Sequence, residues 1–142
     1  MPKLLGIAVK SEIEASEFYH SMLDRDLPGE ARNKVEKLAA QEKKHEKTLR
    51  SIFKDFYPKK DIEFPESSGL HDFPFDPLGI DENRPLENLF QVAMKNEKES
   101  ERFYGELRVK FDDEEVRRLL GFLAANEREH YEILRTELNK LN

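Results

Sequence analysis

The second half of this chain repeats the first at a constant offset of 85 residues. AVKSEIEASEFY at residues 8–19 aligns with AMKNEKESERFY at residues 93–104, and six of the twelve positions are identical. LAAQEKKHEKTLR at residues 38–50 aligns with LAANEREHYEILR at residues 123–135, with seven of thirteen positions identical and no gap. A repeated unit that cannot bury its own apolar face packs against its copy. The repeat therefore predicts two similar halves paired about an approximate two-fold axis.

Apolar residues recur every three or four positions in four segments, which predicts four amphipathic α-helices. Leu27-Pro28-Gly29 separates the first two helices, Pro85 suits the first turn of the third, and Asp112 or Asp113 can cap the fourth. Short turns join helices one and two, and also helices three and four, so each pair is expected to form an antiparallel hairpin. The first two helices are predicted at residues 3–26 and 30–54.

The expected fold is a single all-α domain over residues 1–142, a ferritin-like four-helix bundle. Two helical hairpins, at residues 3–54 and 85–141, are joined by a long crossover at residues 55–84. Such a connection can run the length of the bundle and start the third helix at the far end. The aromatic residues in and beside the crossover are expected to pack it against the bundle or to fill a dimer interface. They are Phe53, Phe56, Tyr57, Phe64, Phe73 and Phe75.

The composition argues against several classes of function. A net charge of −6 disfavours a nucleic-acid partner held by a basic face. No stretch holds about 18 consecutive apolar residues, so a membrane-spanning helix is not expected. The chain has no cysteine, which excludes disulfides, iron–sulfur clusters and cysteine-ligated zinc. The cytoplasm is the expected location.

Several ionisable residues share the apolar stripes of the four helices. Glu42 lies four residues after Leu38, and Glu12 lies four residues after Ala8. Burying an unpaired carboxylate costs several kcal/mol, and buried carboxylates placed together also repel one another. Lysine and arginine are absent from these stripes at that level, so the sequence predicts a bound metal cation. The candidate ligands are Glu12, Glu42, His45, Glu97, Glu127 and His130.

The second and fourth helices each carry the motif Glu-x-x-His, which places a carboxylate and an imidazole one turn apart on one face. Two such motifs, with one glutamate from each of two other helices, form the ligand set of di-iron and di-manganese bundles. Mixed oxygen and nitrogen donors suit iron or manganese, and zinc is the alternative. Two divalent ions would offset the charge of four carboxylates.

A third Glu-x-x-His, formed by Glu17 and His20, serves as an internal control. It lies off the apolar stripe, and its repeat positions are Arg102 and Gly105, so we interpret it as solvent-exposed. His71 in the crossover is also expected at the surface.

Two tyrosines, Tyr19 and Tyr104, lie two turns after Glu12 and Glu97 on the same stripes. Two roles are open for each. The hydroxyl could donate a hydrogen bond to a ligand carboxylate of the other hairpin, or the residue could be an ordinary core tyrosine.

The segments EIEASEFY, QEKKH, EKESERFY and NEREH resemble, in order and separation, the four helix motifs of the rubrerythrin-like branch of the ferritin-like superfamily. The resemblance implies a non-haem di-iron site in which Glu42 and Glu127 bridge the metals. Terminal ligands would come from the first and third helices and from the two histidines. It also implies reduction of hydrogen peroxide, or oxidation of ferrous iron by dioxygen or peroxide.

The chain departs from that branch in two respects. Rubrerythrins usually carry a further carboxylate one turn after the third-helix ligand, where this chain has Ser100. They also usually carry a cysteine-containing rubredoxin module, which this chain lacks, so a separate electron-donor protein such as a rubredoxin is expected.

The leading hypothesis is a di-iron oxidoreductase that reduces peroxide or dioxygen, with a homodimer as the expected assembly. The alternatives are an iron-binding or ferroxidase-type protein without peroxidase turnover, and a metal-free structural bundle.

Overall fold

The computed structural model describes residues 1–70, 75–76, 79–80 and 85–141. It contains four α-helices: α1 (Pro2–Leu23), α2 (Gly29–Phe56), α3 (Leu86–Arg108) and α4 (Glu114–Leu141). The prediction of an all-α four-helix bundle is confirmed. The crossover adds a short antiparallel pairing of β1 (Phe75–Asp76) with β2 (Gly79–Ile80). Of the residues considered above, His71 and Phe73 lie outside the described residues, as does the side chain of Phe75.

The ends of α1 and α2 lie within three residues of the predicted ends. α1 ends at Leu23 rather than at residue 26, and α2 extends to Phe56 rather than ending at residue 54. Pro85 immediately precedes α3 as its N-cap. Asp113 caps α4 by accepting a hydrogen bond from the backbone N–H of Val116 at 3.0 Å.

The helices pack mainly as two hairpins, α1 against α2 and α3 against α4. The buried apolar side chains form two separate clusters. One cluster includes Leu5, Leu49, Leu107 and Leu120. The other includes Phe90. Every helix contributes to both clusters, so each helix has a stretch between them that belongs to neither. The candidate ligands lie in those stretches.

The crossover contacts the bundle through a glutamate that the sequence patterns did not single out. Glu14 of α1 is buried and accepts hydrogen bonds from the backbone N–H of Ser68, at 3.2 Å, and from the hydroxyl of Ser68. We call residues 57–70 the strap. Its contact with Glu14 ties the first part of the crossover to α1.

The aromatic residues in and near the strap differ in how deeply they are buried. Phe53 is buried in the first apolar cluster, as expected. Phe56 and Phe64 are instead 42% and 45% exposed. Phe56 has an edge contact with the ring of Phe111, and the guanidinium of Arg50 lies over the ring of Phe64. These two rings therefore contribute little to a core within one chain.

The strap approaches α1 most closely at Gly6, where a Cβ would lie 2.5 Å from the backbone carbonyl oxygen of Glu63. Gly6→Ala should therefore displace the strap and lower the free energy of unfolding by about 1–3 kcal/mol, measured by urea denaturation. Gly105→Ala is the matched control, because nothing lies within 4 Å of a Cβ there. That change should stabilise α3 by about 0.5–1 kcal/mol. Equal effects of the two substitutions would contradict the close approach.

None of the helices in the described part of the chain combines the length and the apolar character needed to cross a membrane.

Candidate metal centre

Six ionisable side chains from all four helices meet between the two apolar clusters. Each is at most 4% exposed, which is exceptional for ionised groups. α1 and α3 contribute one glutamate each, while α2 and α4 each contribute a glutamate and a histidine one turn apart. The six are the residues singled out from the repeat: Glu12, Glu42, His45, Glu97, Glu127 and His130.

The six side chains form two overlapping groups of four, and within each group the potential ligand atoms all lie within 4.8 Å of one another. Glu12 and His45 belong to one group, and Glu97 and His130 belong to the other. Glu42 and Glu127 belong to both. An arrangement with two shared carboxylates suits two neighbouring ions bridged by those carboxylates.

The two imidazoles face the shared carboxylates across the hairpin boundary. Nδ1 of His130 lies 2.8 Å from Oε1 of Glu42, and Nδ1 of His45 lies 3.1 Å from Oε1 of Glu127. The rings are nearly parallel, with centroids 5.8 Å apart and an interplanar angle of 11°. Both Nδ1 atoms therefore point into the centre, where each could bind a metal.

The outer nitrogen of each imidazole contacts a carboxamide of the other hairpin. Nε2 of His45 lies 3.1 Å from Oδ1 of Asn126, and Nε2 of His130 contacts Oε1 of Gln41. An amide oxygen only accepts hydrogen bonds, so Nε2–H is the donor, and when the ring is neutral its lone pair is on Nδ1. These carboxamides lie outside the sequence patterns that predict the site, although they share the 85-residue offset and each directly precedes a motif glutamate.

The two tyrosines bind carboxylates of the opposite hairpin. The hydroxyl of Tyr19 donates a hydrogen bond to Glu97, and the hydroxyl of Tyr104 donates one to Glu12. Burial and the neighbouring carboxylates raise the pKa of both phenols well above their usual value, so both remain protonated donors. The sequence left open whether each hydroxyl contacts a ligand carboxylate of the other hairpin or whether each residue is an ordinary core tyrosine. In the structure, both hydroxyls contact such a carboxylate.

The protonation of the centre reflects its crowded carboxylates. Burial, together with the neighbouring glutamates, raises the pKa of Glu42 and of Glu127 well above the usual value. Burial alone would lower the pKa of His45, but the carboxylates of Glu12 and Glu127 raise it to about 11. Burial also tends to raise the pKa of Glu12, yet contacts with Glu42 and His45 lower it. Without a metal, protons thus reduce the repulsion between the carboxylates.

Many polar atoms of this centre have no hydrogen-bond partner among the described residues. They include both oxygens of Glu42, one oxygen each of Glu12, Glu97 and Glu127, and Nδ1 of both histidines. A buried polar group left unsatisfied costs about 1–3 kcal/mol, so several in one layer need another partner. Carboxylate oxygens and imidazole nitrogens are ligands of iron, manganese and zinc, so the residues fit a pair of such ions.

The internal control lies apart from this centre. Glu17 and His20 are both exposed on α1 and belong to neither group of potential ligands. The spacing Glu-x-x-His is therefore informative only where it coincides with an apolar stripe.

A bundle of two paired helical hairpins around a buried layer of carboxylates and imidazoles defines a ferritin-like protein. The family model described as rubrerythrin matches residues 3–138, so the chain belongs to the rubrerythrin family. The fold is similar to the solved structure of a hypothetical protein from Pyrococcus furiosus, with a TM-score of 0.83 and 34% identity. That match covers 97% of this chain and 87% of the other. A comparison with curated proteins gave no significant match.

Proposed function

We propose that this chain is a non-haem di-iron oxidoreductase that reduces hydrogen peroxide, or dioxygen, at the candidate metal centre. The proposal rests above all on the two overlapping ligand groups that share Glu42 and Glu127. Membership of the rubrerythrin family supports iron as the metal, with manganese or zinc as the alternatives.

Each of the six candidate ligands would have a distinct place in holding the metals. Glu42 and Glu127 would bridge the two ions, Glu12 and Glu97 would bind from the side of α1 and α3, and the two histidines would bind through Nδ1. The carboxamides and tyrosines that contact these side chains fix their orientation. Such supporting contacts typically affect metal affinity by about 10–100-fold.

A bound ferrous pair would supply two electrons, which with two protons suffice to cleave the O–O bond of hydrogen peroxide and give two waters. The protein's own contribution is to exclude bulk water from the layer, since every proposed ligand is almost fully buried. The chain has no cysteine and hence no thiolate-ligated redox centre of its own. Renewed reduction therefore needs an external electron donor, for which a separate protein such as a rubredoxin is our proposal.

Anaerobic loading with ferrous iron tests the metal site directly. We expect about two irons per chain by elemental analysis, in line with the two ligand groups, and a rise in the melting temperature on loading. Addition of hydrogen peroxide should then oxidise the loaded iron, and a reductant should restore it for further turnovers. A purified protein that binds no iron, and whose melting temperature ignores iron, manganese and zinc, would instead support a metal-free structural bundle.

Iron handling without catalytic turnover is the second candidate. It is favoured by Ser100, which is buried one turn after Glu97 where rubrerythrins usually carry a further carboxylate. Stopped-flow oxidation that stops after one turnover with every reductant and donor protein tried would select this candidate. Repeated turnover would exclude it.

The homodimer stays a prediction. The exposed rings of Phe56 and Phe64 are compatible with an interface between copies of the chain. Sedimentation equilibrium measures the oligomeric state.

A further inference from the structure

The two carboxamides beside the centre give it a property that its ligands alone do not determine. Gln41 and Asn126 occupy equivalent positions in the repeat, and both are partly buried. The amide oxygen of Asn126 lies 3.1 Å from Nε2 of His45, and that of Gln41 contacts Nε2 of His130. The two side chains differ in length, yet both offer the histidine a neutral oxygen.

The charge of the buried layer depends on that neutrality. The ion contacts of the four ligand glutamates are with the two histidines. When a metal binds, carboxylates are ionised and imidazoles are neutral. Four negative charges then match two divalent ions, whereas two trivalent ions leave two positive charges uncompensated. With uncharged carboxamides at its edge, the layer therefore matches the charge of a ferrous pair.

A carboxylate in place of either carboxamide would change that match. It would add a negative charge beside the layer, and it would accept the hydrogen bond from Nε2–H more strongly, which makes the imidazole a more basic ligand. Both effects stabilise a trivalent ion more than a divalent one, because the energy of a charge pair grows with the charge of each member. A carboxamide orients the ring in the same way and adds no charge.

We propose that Gln41 and Asn126 are positioning residues that bias the centre toward its ferrous state: each holds a histidine with Nδ1 toward the metal and adds no negative charge. The proposal rests on the proposed function and deepens it. Each hydrogen peroxide takes two electrons from the pair, so each ferric ion must regain one electron from the external donor. Neutral partners make that return easier, and a milder donor then suffices.

Substitutions of opposite character test the proposal. Gln41→Glu and Asn126→Asp keep an acceptor and add a charge, whereas Gln41→Leu and Asn126→Leu remove the acceptor. Ala40→Glu and Ala125→Glu are the matched controls. These alanines are exposed, directly precede the carboxamides and are repeat equivalents, so they place the same charge on the outer side of the helix.

We expect Gln41→Glu and Asn126→Asp each to favour the ferric state about tenfold in spectroelectrochemical titrations of the iron-loaded protein. That factor corresponds to a midpoint potential lower by about 59 mV for a one-electron step. These variants should bind zinc, which has no redox chemistry, at least as tightly as the wild type.

The leucine variants should behave in the opposite way. Gln41→Leu and Asn126→Leu should not lower the potential, and they should weaken zinc binding about 10–100-fold because each imidazole loses its acceptor. Ala40→Glu and Ala125→Glu should leave both the potential and the zinc affinity close to those of the wild type. If the carboxylate and leucine variants all weaken zinc binding and leave the potential unchanged, the carboxamides have only a structural role and the proposal is wrong.

The zinc-loaded wild type provides a test that involves no redox step. Long-range proton–nitrogen correlation spectra should show both imidazoles with zinc at Nδ1 and a proton on Nε2, and zinc at Nε2 would overturn the proposal. Equal lowering of the potential by Gln41→Glu and Ala40→Glu would also overturn it and leave the proposed function intact. An iron-loaded protein that ignores hydrogen peroxide overturns the proposed function, while the potentials of the variants still decide what the carboxamides do. A wild type that binds neither iron nor zinc overturns both.

Discussion

Replacing Glu42 and Glu127 together by glutamine should abolish metal binding and, in the same variant, stabilise the metal-free fold. Both residues belong to both ligand groups, so their loss removes the shared carboxylates from each site. Without a metal, both carboxyl groups are buried among other carboxylates, so they either bear that repulsion or take up protons, a cost that neutral glutamine avoids. We expect an iron content near zero by elemental analysis and a free energy of unfolding about 1–3 kcal/mol above that of the metal-free wild type.

The control for this experiment lies in the same chain. Glu17 and His20 form a Glu-x-x-His on the exposed face of α1. Glu17→Gln with His20→Gln should leave iron content unchanged and stability within about 0.5 kcal/mol. Undiminished iron content in the Glu42→Gln, Glu127→Gln variant, or its loss in the control, would contradict the assignment of the site.

The pH dependence of the metal-free protein follows from the same two residues. Their raised pKa means that the folded state holds more protons than the unfolded state above about pH 4.5. The free energy of unfolding should therefore fall as pH rises. The raised pKa of His45, about 11, also makes the free energy of unfolding fall as pH rises above 6.5. The lowered pKa of Glu12 affects the free energy of unfolding only below pH 4.5. The stability gain of the double glutamine variant should thus grow between about pH 5 and about pH 8.

The bundle and the six central residues could be predicted from the sequence because both follow from periodic patterns. Helical periodicity defines an apolar stripe on each helix. The 85-residue offset then shows which ionisable residues on that stripe recur in both halves of the chain. Glu42 and Glu127 are conspicuous because they recur at the same place on the stripe. The structure brings them together with their neighbours in one buried layer, as the pattern indicated.

The contacts around that layer were harder to predict because they do not depend on an apolar stripe. Gln41 and Asn126 lie one residue before a motif glutamate, where a carboxamide normally faces solvent. Their pairing with the histidines depends on how the hairpins cross. Glu14 is buried by the strap, and the strap has no repeat and no helical period from which its path could be calculated. The exposure of Phe64, which lies in the strap, likewise depends on that path.

Tyr19→Phe and Tyr104→Phe should each weaken metal binding without preventing folding. Each phenol donates across the hairpin boundary to a proposed ligand, Glu97 in one case and Glu12 in the other. Phenylalanine retains the ring packing and leaves the carboxylate oxygen without its donor. We expect the affinity for ferrous iron to fall about 10–100-fold for each variant.

The two tyrosines should affect different halves of the centre, which separates a positioning role from a general effect on stability. Glu97 belongs to the group with His130, and Glu12 belongs to the group with His45. In an anaerobic titration, each single variant should weaken one of two binding steps, and the double variant should weaken both. Tyr131→Phe is the control, since Tyr131 lies under the ammonium group of Lys98 and belongs to neither ligand group. If the variants lower only the melting temperature and leave both binding steps unchanged, the tyrosines are core residues and do not position the ligands.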